Sequence, residues 1–414
     1  MLDTTIIKEY AYTLGFAMAR VTGAQSFPEA ERIIKERIAQ GLMDGLPWFT
    51  AERSEVSCHP DTLLPEAQSI IALAMFYLSE QPEKDTGEEG GSGPRGRISR
   101  YAWGDDYHEI IKPKLQQFAE WLRAYARQEL GEEAQTRLFV DTGRMVDRAV
   151  AQRAGLGWYG KNTNILTKGW GSWVFLAEIV TNLPLTADEP LKTNCGSCEI
   201  CLHACPTGAL PAPYMLDNTR CISYLTIELR GSIPLELRPL MGNLIFGCDI
   251  CQQVCPVNHR AERRLGLREQ GKQQAQQGRE GRHERQLPLI QVQPRQEFQP
   301  RPGTGSNPEL IPLLSLTEEE FRERFRHSPI KRTKRRGLLR NVCVALGNSG
   351  DASAVPALIN ALHDAEPLIR GHAAWALGRL GGETARRALE ESLNTEDDED
   401  VRKEVLCALS MSAQ

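Results

Sequence analysis

A chain of 414 residues, 41% hydrophobic and 25% charged, is long enough for two or three domains and a large apolar core, so it needs no disulfides as staples. Its net charge of −5 gives no global sign of a polyanionic partner, and any nucleic-acid surface has to be a local concentration of charge. The 11 cysteines are odd in number and fall mostly in two tight runs. Met1-Leu2-Asp3-Thr4 lacks the basic start of an export signal, and the longest apolar run, Ile70 to Leu78, is too short to span a bilayer. These features predict a cytosolic chain with no membrane segment, whose thiols are reduced and available to metal.

The pattern predicts a helix over residues 3–15, with Ile6, Ile7, Tyr10, Ala11 and Leu14 at helical spacing, then buried strands at 16–21 and 69–78. Residues 81–96 are polar and Gly-rich and read as a loop. A long helix is expected over 105–130, a short strand over 138–140 delivering Asp141 to its end, and a helix over 147–154. Strands at 164–167 and 173–182 read as joined by the Gly169-Trp170-Gly171 turn. This mixture makes residues 1–185 an α/β unit and the whole chain α+β. Residues 186–260 hold the cysteine runs and offer little room for a conventional core, so bound clusters are expected to organise them. Residues 261–296 are dominated by Gln, Gly, Arg and Glu and read as a disordered insertion. From 297 a linker leads to a helical repeat. Val342-Cys343-Val344-Ala345-Leu346-Gly347 recurs as Ala373-Ala374-Trp375-Ala376-Leu377-Gly378 and, in part, as Val405-Leu406-Cys407-Ala408-Leu409. That period predicts a HEAT-type α-solenoid with Cys343 and Cys407 at core positions.

The most specific chemistry lies in Cys195-x2-Cys198-x2-Cys201-x3-Cys205-Pro206 and in Cys248-x2-Cys251-x3-Cys255-Pro256, with Cys221 upstream of the second run. In ferredoxin-like two-cluster domains such a run gives three thiolates to one [4Fe–4S] cluster and its fourth to the other. The expected sets are Cys195, Cys198, Cys201 and Cys255 for one cluster, and Cys205, Cys221, Cys248 and Cys251 for the other. Structural zinc also uses Cys-x2-Cys pairs, but four thiols within eleven residues followed by proline favour iron–sulfur. His203 and the Cys58-His59 pair read as structural residues. Two adjacent clusters move single electrons, without naming the acceptor.

The flanking residues carry a resemblance. Val140-Asp141-Thr142-Gly143, Ala154-Gly155-Leu156-Gly157-Trp158-Tyr159-Gly160-Lys161-Asn162, Arg220-Cys221-Ile222-Ser223-Tyr224-Leu225-Thr226-Ile227-Glu228 and Gly242-Asn243-Leu244-Ile245-Phe246-Gly247-Cys248-Asp249 resemble the epoxyqueuosine reductases. Arg100-Tyr101-Ala102, Asp106-Tyr107-His108 and 335–341 extend the likeness. It implies an N-terminal nitroreductase-like, cobalamin-binding domain, cobalamin beside two [4Fe–4S] clusters, and reduction of epoxyqueuosine at the wobble position of tRNA to queuosine. A monomer fed by an external one-electron donor is implied as well. Asp141 is the expected proton donor, from the resemblance and from its place at a strand end. A free aspartic acid, of pKa ~3.9, donates poorly at neutral pH, so such a site has to desolvate its acid. Arg97, Tyr101, Asp141, Lys161, Asn162, Ser172 and Ser223 are the expected cobalamin contacts. Asp106-Tyr107-His108-Glu109-Ile110-Ile111 lacks the Gly of a His-on cobalamin motif, so no histidine is expected on the lower face.

For RNA the candidates are the cations at the start of the solenoid, Arg326, Lys331, Arg332, Lys334, Arg335, Arg336 and Arg340, among which no acid occurs. Arg230 and Arg238 are expected to hold the anticodon loop, and 396–400 to face away. Two other readings stand beside this one. A reductive dehalogenase would share the cofactors but is disfavoured by the missing export signal and the basic solenoid. A ferredoxin-like electron carrier would leave the first 185 residues without a role.

Overall fold

The computed structural model describes residues 2–79, 93–264, 266–267, 295–302 and 304–411. Helix α1 is Thr4–Thr13, capped by Asp3, whose carboxylate accepts the Thr5 N–H at 2.8 Å. Strand β1 is Met18–Gly23. Residues 28–63, given no element by the sequence reading, form α2 (Pro28–Ala39), α3 (Ala51–Cys58) and α4 (Pro60–Leu63). Helix α2 opens on proline and is laced by Arg32–Glu29, Arg32–Glu36 and Lys35–Glu31 pairs, while none of its residues is fully buried. Its signal was therefore charge spacing rather than an apolar stripe.

Strand β2 is Ser69–Phe76 and β3 is Arg97–Ile98. Helix α5, Tyr107–Leu130, starts on the Asp106 cap and stops at Gly131, whose φ of 69° suits glycine. Then come β4 (Thr136–Phe139), α6 (Asp147–Arg153), β5 (Gly157–Tyr159), β6 (Ile165–Thr167) and β7 (Val174–Thr181). An antiparallel sheet runs in the order β1-β2-β7-β4. The pleat alternates its side chains. Val21, Ile71, Leu73, Ala177 and Ile179 pack on α1 and α5, and Ile70, Ala72, Ala74 and Val180 pack on α6 and the segment 24–64. The expected β6–β7 hairpin is not formed: β6 pairs back with β5, and β7 enters the main sheet. Gly169 and Gly171 do make the turn, at φ of 91° and 63°, closed by a Thr167–Gly171 bridge.

The cysteine region contains α7 (Ile200–Ala204), α8 (Ile222–Ile227), β8 (Leu244–Phe246), α9 (Ile250–Gln253) and α10 (Pro256–Arg264). Strand β8 pairs in parallel with β3, joining this region to the N-terminal unit. Helix α10 carries through the boundary expected at 260. The bulk of the expected insertion, 268–294, lies outside the described residues. At its far end Phe298 is buried in the N-terminal core.

The solenoid follows as α11 (Leu310–Leu314), α12 (Glu318–Arg324), α13 (Lys334–Ser349), α14 (Val355–Ala361), α15 (Pro367–Leu380), α16 (Glu383–Thr395) and α17 (Glu399–Met411). Helices α13, α15 and α17 pack side by side, with α14 and α16 against them. The recurring glycine has a reason: a Cβ on Gly347 would stand 2.8 Å from the Trp375 ring, and one on Gly378 2.7 Å from the Ala408 backbone. Cys343 is buried as expected, whereas Cys407 is exposed, one position off the inward stripe set by Val405 and Ala408. The cysteine region does have a conventional core. Ile222, Leu225, Ile227, Leu237, Leu244 and Phe246 share one continuous apolar cluster with the solenoid.

Candidate active site between the sheet and the cysteine runs

All eight cysteines of the runs are unpaired and partly covered. Their charges act on one another. Burial, then the charges of Cys255, Cys195 and Cys198, pushes the Cys201 thiol up; burial, then Cys195 and Cys198, does so for Cys255. Burial lifts Cys248 to about 12, with Cys221, Asp249 and Cys205 adding, and holds Cys251 well above the ordinary thiol value, with Cys248, Cys221, Asp249 and Cys201 adding. Eight thiols, four to a cube, are the donor set that two [4Fe–4S] clusters require. Thiols held this high become thiolates when iron displaces their protons. The Ser223 and Tyr224 N–H groups point at Cys221 and lower its thiol against the larger effect of burial.

Beyond β4 the backbone turns sharply, with Asp141 at a φ of 51°, in the left-handed region. The Tyr107 hydroxyl donates to Asp141 Oδ2, and its ring stacks between Phe175, centroids 4.2 Å apart, and His108, 4.1 Å apart. Tyr101 lies edge-on to Tyr107 at 6.3 Å. Burial pushes the Tyr101 phenol up, while Arg332 acts to lower it and Asp141, Asp249 and Glu228 to raise it. Arg148 on α6 is close enough to act on both Asp147 and Cys221. Tyr101 spans this space, touching Tyr107 on one side and, with centroids 6.1 Å apart, Phe246 on the other, two residues before Cys248.

The other expected cofactor contacts are distributed around this space. Arg97 on β3 donates to Gln253 at 3.1 Å, and Asn162 donates to the Cys251 carbonyl at 3.2 Å. Lys161 is buried and paired with Glu199 at 3.1 Å. Ser172 is buried too, its hydroxyl accepting from Gln252 at 2.9 Å and Asn258 at 2.8 Å, so it braces β7 against the cysteine helices. Sequence reasoning missed Tyr107 as a partner of Asp141, although it stands in the quoted motif. It also missed Glu178, the one acid in the apolar run 173–182.

The basic run is only partly available to RNA. Arg238 is 1% exposed, bound to Glu404 at 2.9 Å and set over the Trp375 ring at 5.5 Å, so it is not an RNA contact. Arg340 is fully buried, donating to the carbonyls of Leu225, Leu229 and Gly231 at 2.6, 2.8 and 2.7 Å. Arg335 is neutralised by Asp364 at 2.5 Å. Lys331 reaches Asp106 and Glu109 at 3.0 and 2.9 Å, and Arg332 reaches Glu228 at 2.7 Å. Arg230 donates to the Arg332 carbonyl at 3.0 Å. The acids were invisible in the run because they come from other elements. Among the described residues Lys334 and Arg336 have no carboxylate partner.

Residues 58–142 match the family described as epoxyqueuosine reductase QueG, DUF1730; residues 194–258 match a 4Fe-4S double cluster binding domain; and residues 332–410 match HEAT repeats. The epoxyqueuosine reductase of Bacillus subtilis (strain 168) is 37% identical over 399 residues, 96% of this chain and 92% of the relative. That of Escherichia coli (strain K12) is 34% identical over 374 residues, 90% and 88%. A crystal structure of epoxyqueuosine reductase with a tRNA-Tyr epoxyqueuosine-modified stem loop superposes with a TM-score of 0.84 at 34% identity, covering 99% of both chains. The Streptococcus thermophilus epoxyqueuosine reductase gives 0.79 at 28%, covering 100% of both. This chain, with its sheet domain, its double-cluster segment and its solenoid, belongs to the epoxyqueuosine reductases and is an oxidoreductase.

Proposed function

We propose that the chain reduces epoxyqueuosine at the wobble position of tRNA to queuosine, using cobalamin fed by two [4Fe–4S] clusters and Asp141 as proton donor. The observation that carries this is Asp141, held by Tyr107 beside Tyr101, whose ring also meets Phe246 two residues before Cys248. In the net reaction both bonds to the epoxide oxygen break, a C=C bond forms, two electrons and two protons are consumed, and the oxygen leaves as water. The electrons come singly from an external donor through the clusters.

The residues present suit a corrin. Asn162, Ser223, Arg97 and Arg148 are polar groups suited to its amide and phosphate substituents, with Tyr101 as an aromatic wall. Cobalamin would supply a strongly reducing, nucleophilic centre at the carbon–oxygen bond. This chain's own part is orientation and the proton. Tyr107 fixes the Asp141 carboxyl where it can hand a proton to the departing oxygen. Lys334 and Arg336 are available for phosphates, and the named stem-loop complex of a relative supports RNA as substrate. Among the described residues no helix is long and apolar enough to cross a membrane, in keeping with a cytoplasmic tRNA enzyme.

Asp141→Asn tests the donor. Product formation is expected to fall about 10²–10⁴-fold, with stem-loop affinity and the cluster spectrum unchanged. Wild-type turnover would remove Asp141 from the mechanism. Anaerobic absorption spectra of the same protein, supplied with cobalamin, should show corrin bands over the broad iron–sulfur absorption. Iron–sulfur absorption alone would favour an electron carrier.

A further inference from the structure

Glu178 lies in the middle of β7, opposite Ala72 on one side and Phe139 on the other, and is 1% exposed. On that face of the sheet α6 crosses it, and the first residue of α6 is Asp147. The two carboxyls lie against each other. Asp147 Oδ1 and Glu178 Oε2 are buried and meet no hydrogen-bond donor. Two ionised carboxylates could only accept, so such a pair is held by a proton on one of its members. Arg148 on α6, Tyr159 on β5 and Asp141 beyond β4 are the charged or titratable groups around it; Cys58 at the end of α3 acts on Tyr159, and Arg137 of β4 shares the face but is exposed. Burial above all, then the charge of Asp147, raises Glu178. Burial likewise raises Asp147 to about 6, with Glu178 opposing and Asp141 reinforcing.

A pair of apolar side chains would fill this face without the cost of two buried acids, so packing does not call for it. Position suggests a use. Asp141 and Asp147 flank one short loop, and the charge of Asp141 reaches both buried acids. A single aspartic acid carries one proton, whereas the departing oxygen takes two.

We propose that Asp147 and Glu178 form a proton store that reloads Asp141 between the two protonations of the departing oxygen. Asp141 gives its carboxyl proton to the oxygen as the first carbon–oxygen bond breaks. The resulting carboxylate takes the proton shared by the pair. Asp141 then gives that proton as the oxygen leaves as water, and solvent reprotonates the pair past the exposed residues Asp141, Thr142 and Arg144. This rests on the reading of Asp141 as donor. Asp147 and Glu178 are positioning and supply groups that act through it.

The test is Glu178→Gln, which keeps size and hydrogen bonding but stores no proton, with Asp147→Asn as the second variant should the first fail to fold. In cofactor-free protein at about pH 8, infrared spectra should show a protonated-carboxyl band in the wild type that is missing from E178Q. In single turnovers with the stem loop, E178Q should be slowed about 10-fold at pH 8, the low end of what proton-transfer groups contribute, with unchanged half-saturation. Wild-type turnover should decline on the alkaline side as the pair empties, and E178Q should lack that limb. A wild-type rate and pH profile in E178Q, or no such band in the wild type, overturns the store. If D141N is inactive in the same assay, the donor reading survives that result; if D141N turns over normally, both fall.

Discussion

Replacing Arg238 by methionine separates a structural arginine from an RNA-binding one. Its guanidinium donates to the Ile233 carbonyl at 2.8 Å, to Glu404 at 2.9 and 2.5 Å, and to the Ser232 hydroxyl at 3.3 Å. Methionine fills similar space but leaves the Glu404 carboxylate, whose side chain is 17% exposed, facing an apolar wall. Removing one partner of such a pair costs about 3–5 kcal/mol, chiefly because the other charge is stranded. The cation–π contact with Trp375 adds about 0.5–1 kcal/mol. The expected loss is therefore about 4–6 kcal/mol, read as a lower urea midpoint by far-ultraviolet circular dichroism. Changing Glu404 to leucine as well should recover most of it, with a coupling of about 2 kcal/mol or more in the double-mutant cycle. At a temperature where the variant stays folded, stem-loop affinity and its salt dependence should match the wild type. A variant that loses under about 1 kcal/mol, while the salt slope falls by about 1, would make Arg238 a phosphate contact and refute the reasoning.

Tyr107→Phe removes the donor that fixes Asp141. A hydrogen bond to a neutral carboxyl contributes about 0.5–1.5 kcal/mol, so single-turnover product formation should fall about 2–10-fold with stem-loop affinity unchanged. The double variant Lys334→Glu, Arg336→Glu should weaken stem-loop binding and reduce the slope of log affinity against log salt by about 1.4–1.8, the share of two phosphate contacts, as measured by fluorescence anisotropy across a salt series. Unpaired among the described residues, these two cations should show the effect without loss of stability.

What could be read beforehand follows the range of each interaction. Thiolates of a cluster come from short spacings, so the double-cluster segment was visible in the cysteine runs. The apolar runs of β2 and β7 and the Ala-Leu-Gly repeat are equally local. Arg238 and Arg340 were misread because a charge run says nothing about Glu404 or the carbonyls of α8, which arrive from elsewhere in the chain. The β6 strand was given the wrong partner because residues 157–159 precede it and look like a glycine-rich loop. Glu178 left a clear mark, a single acid at an inward position of an apolar strand, but its meaning depended on Asp147 crossing above it.

The pairing of β3 with β8 bears on how the protein is made. Arg97 and Ile98 reach their partners only when Leu244 and Phe246 have left the ribosome, about 150 residues later, or roughly 7–30 s at 5–20 residues per second. Until then the N-terminal sheet can form while its link to the cysteine region waits. The N-terminal unit produced alone would expose the edge of β3. The last cysteines of the double-cluster segment, Cys248, Cys251 and Cys255, emerge just behind β8. Iron loading and the joining of the two halves of the site thus fall at the same moment of synthesis, so cells short of iron should accumulate a chain that is half docked and open to proteases, rather than a finished enzyme lacking only its metal.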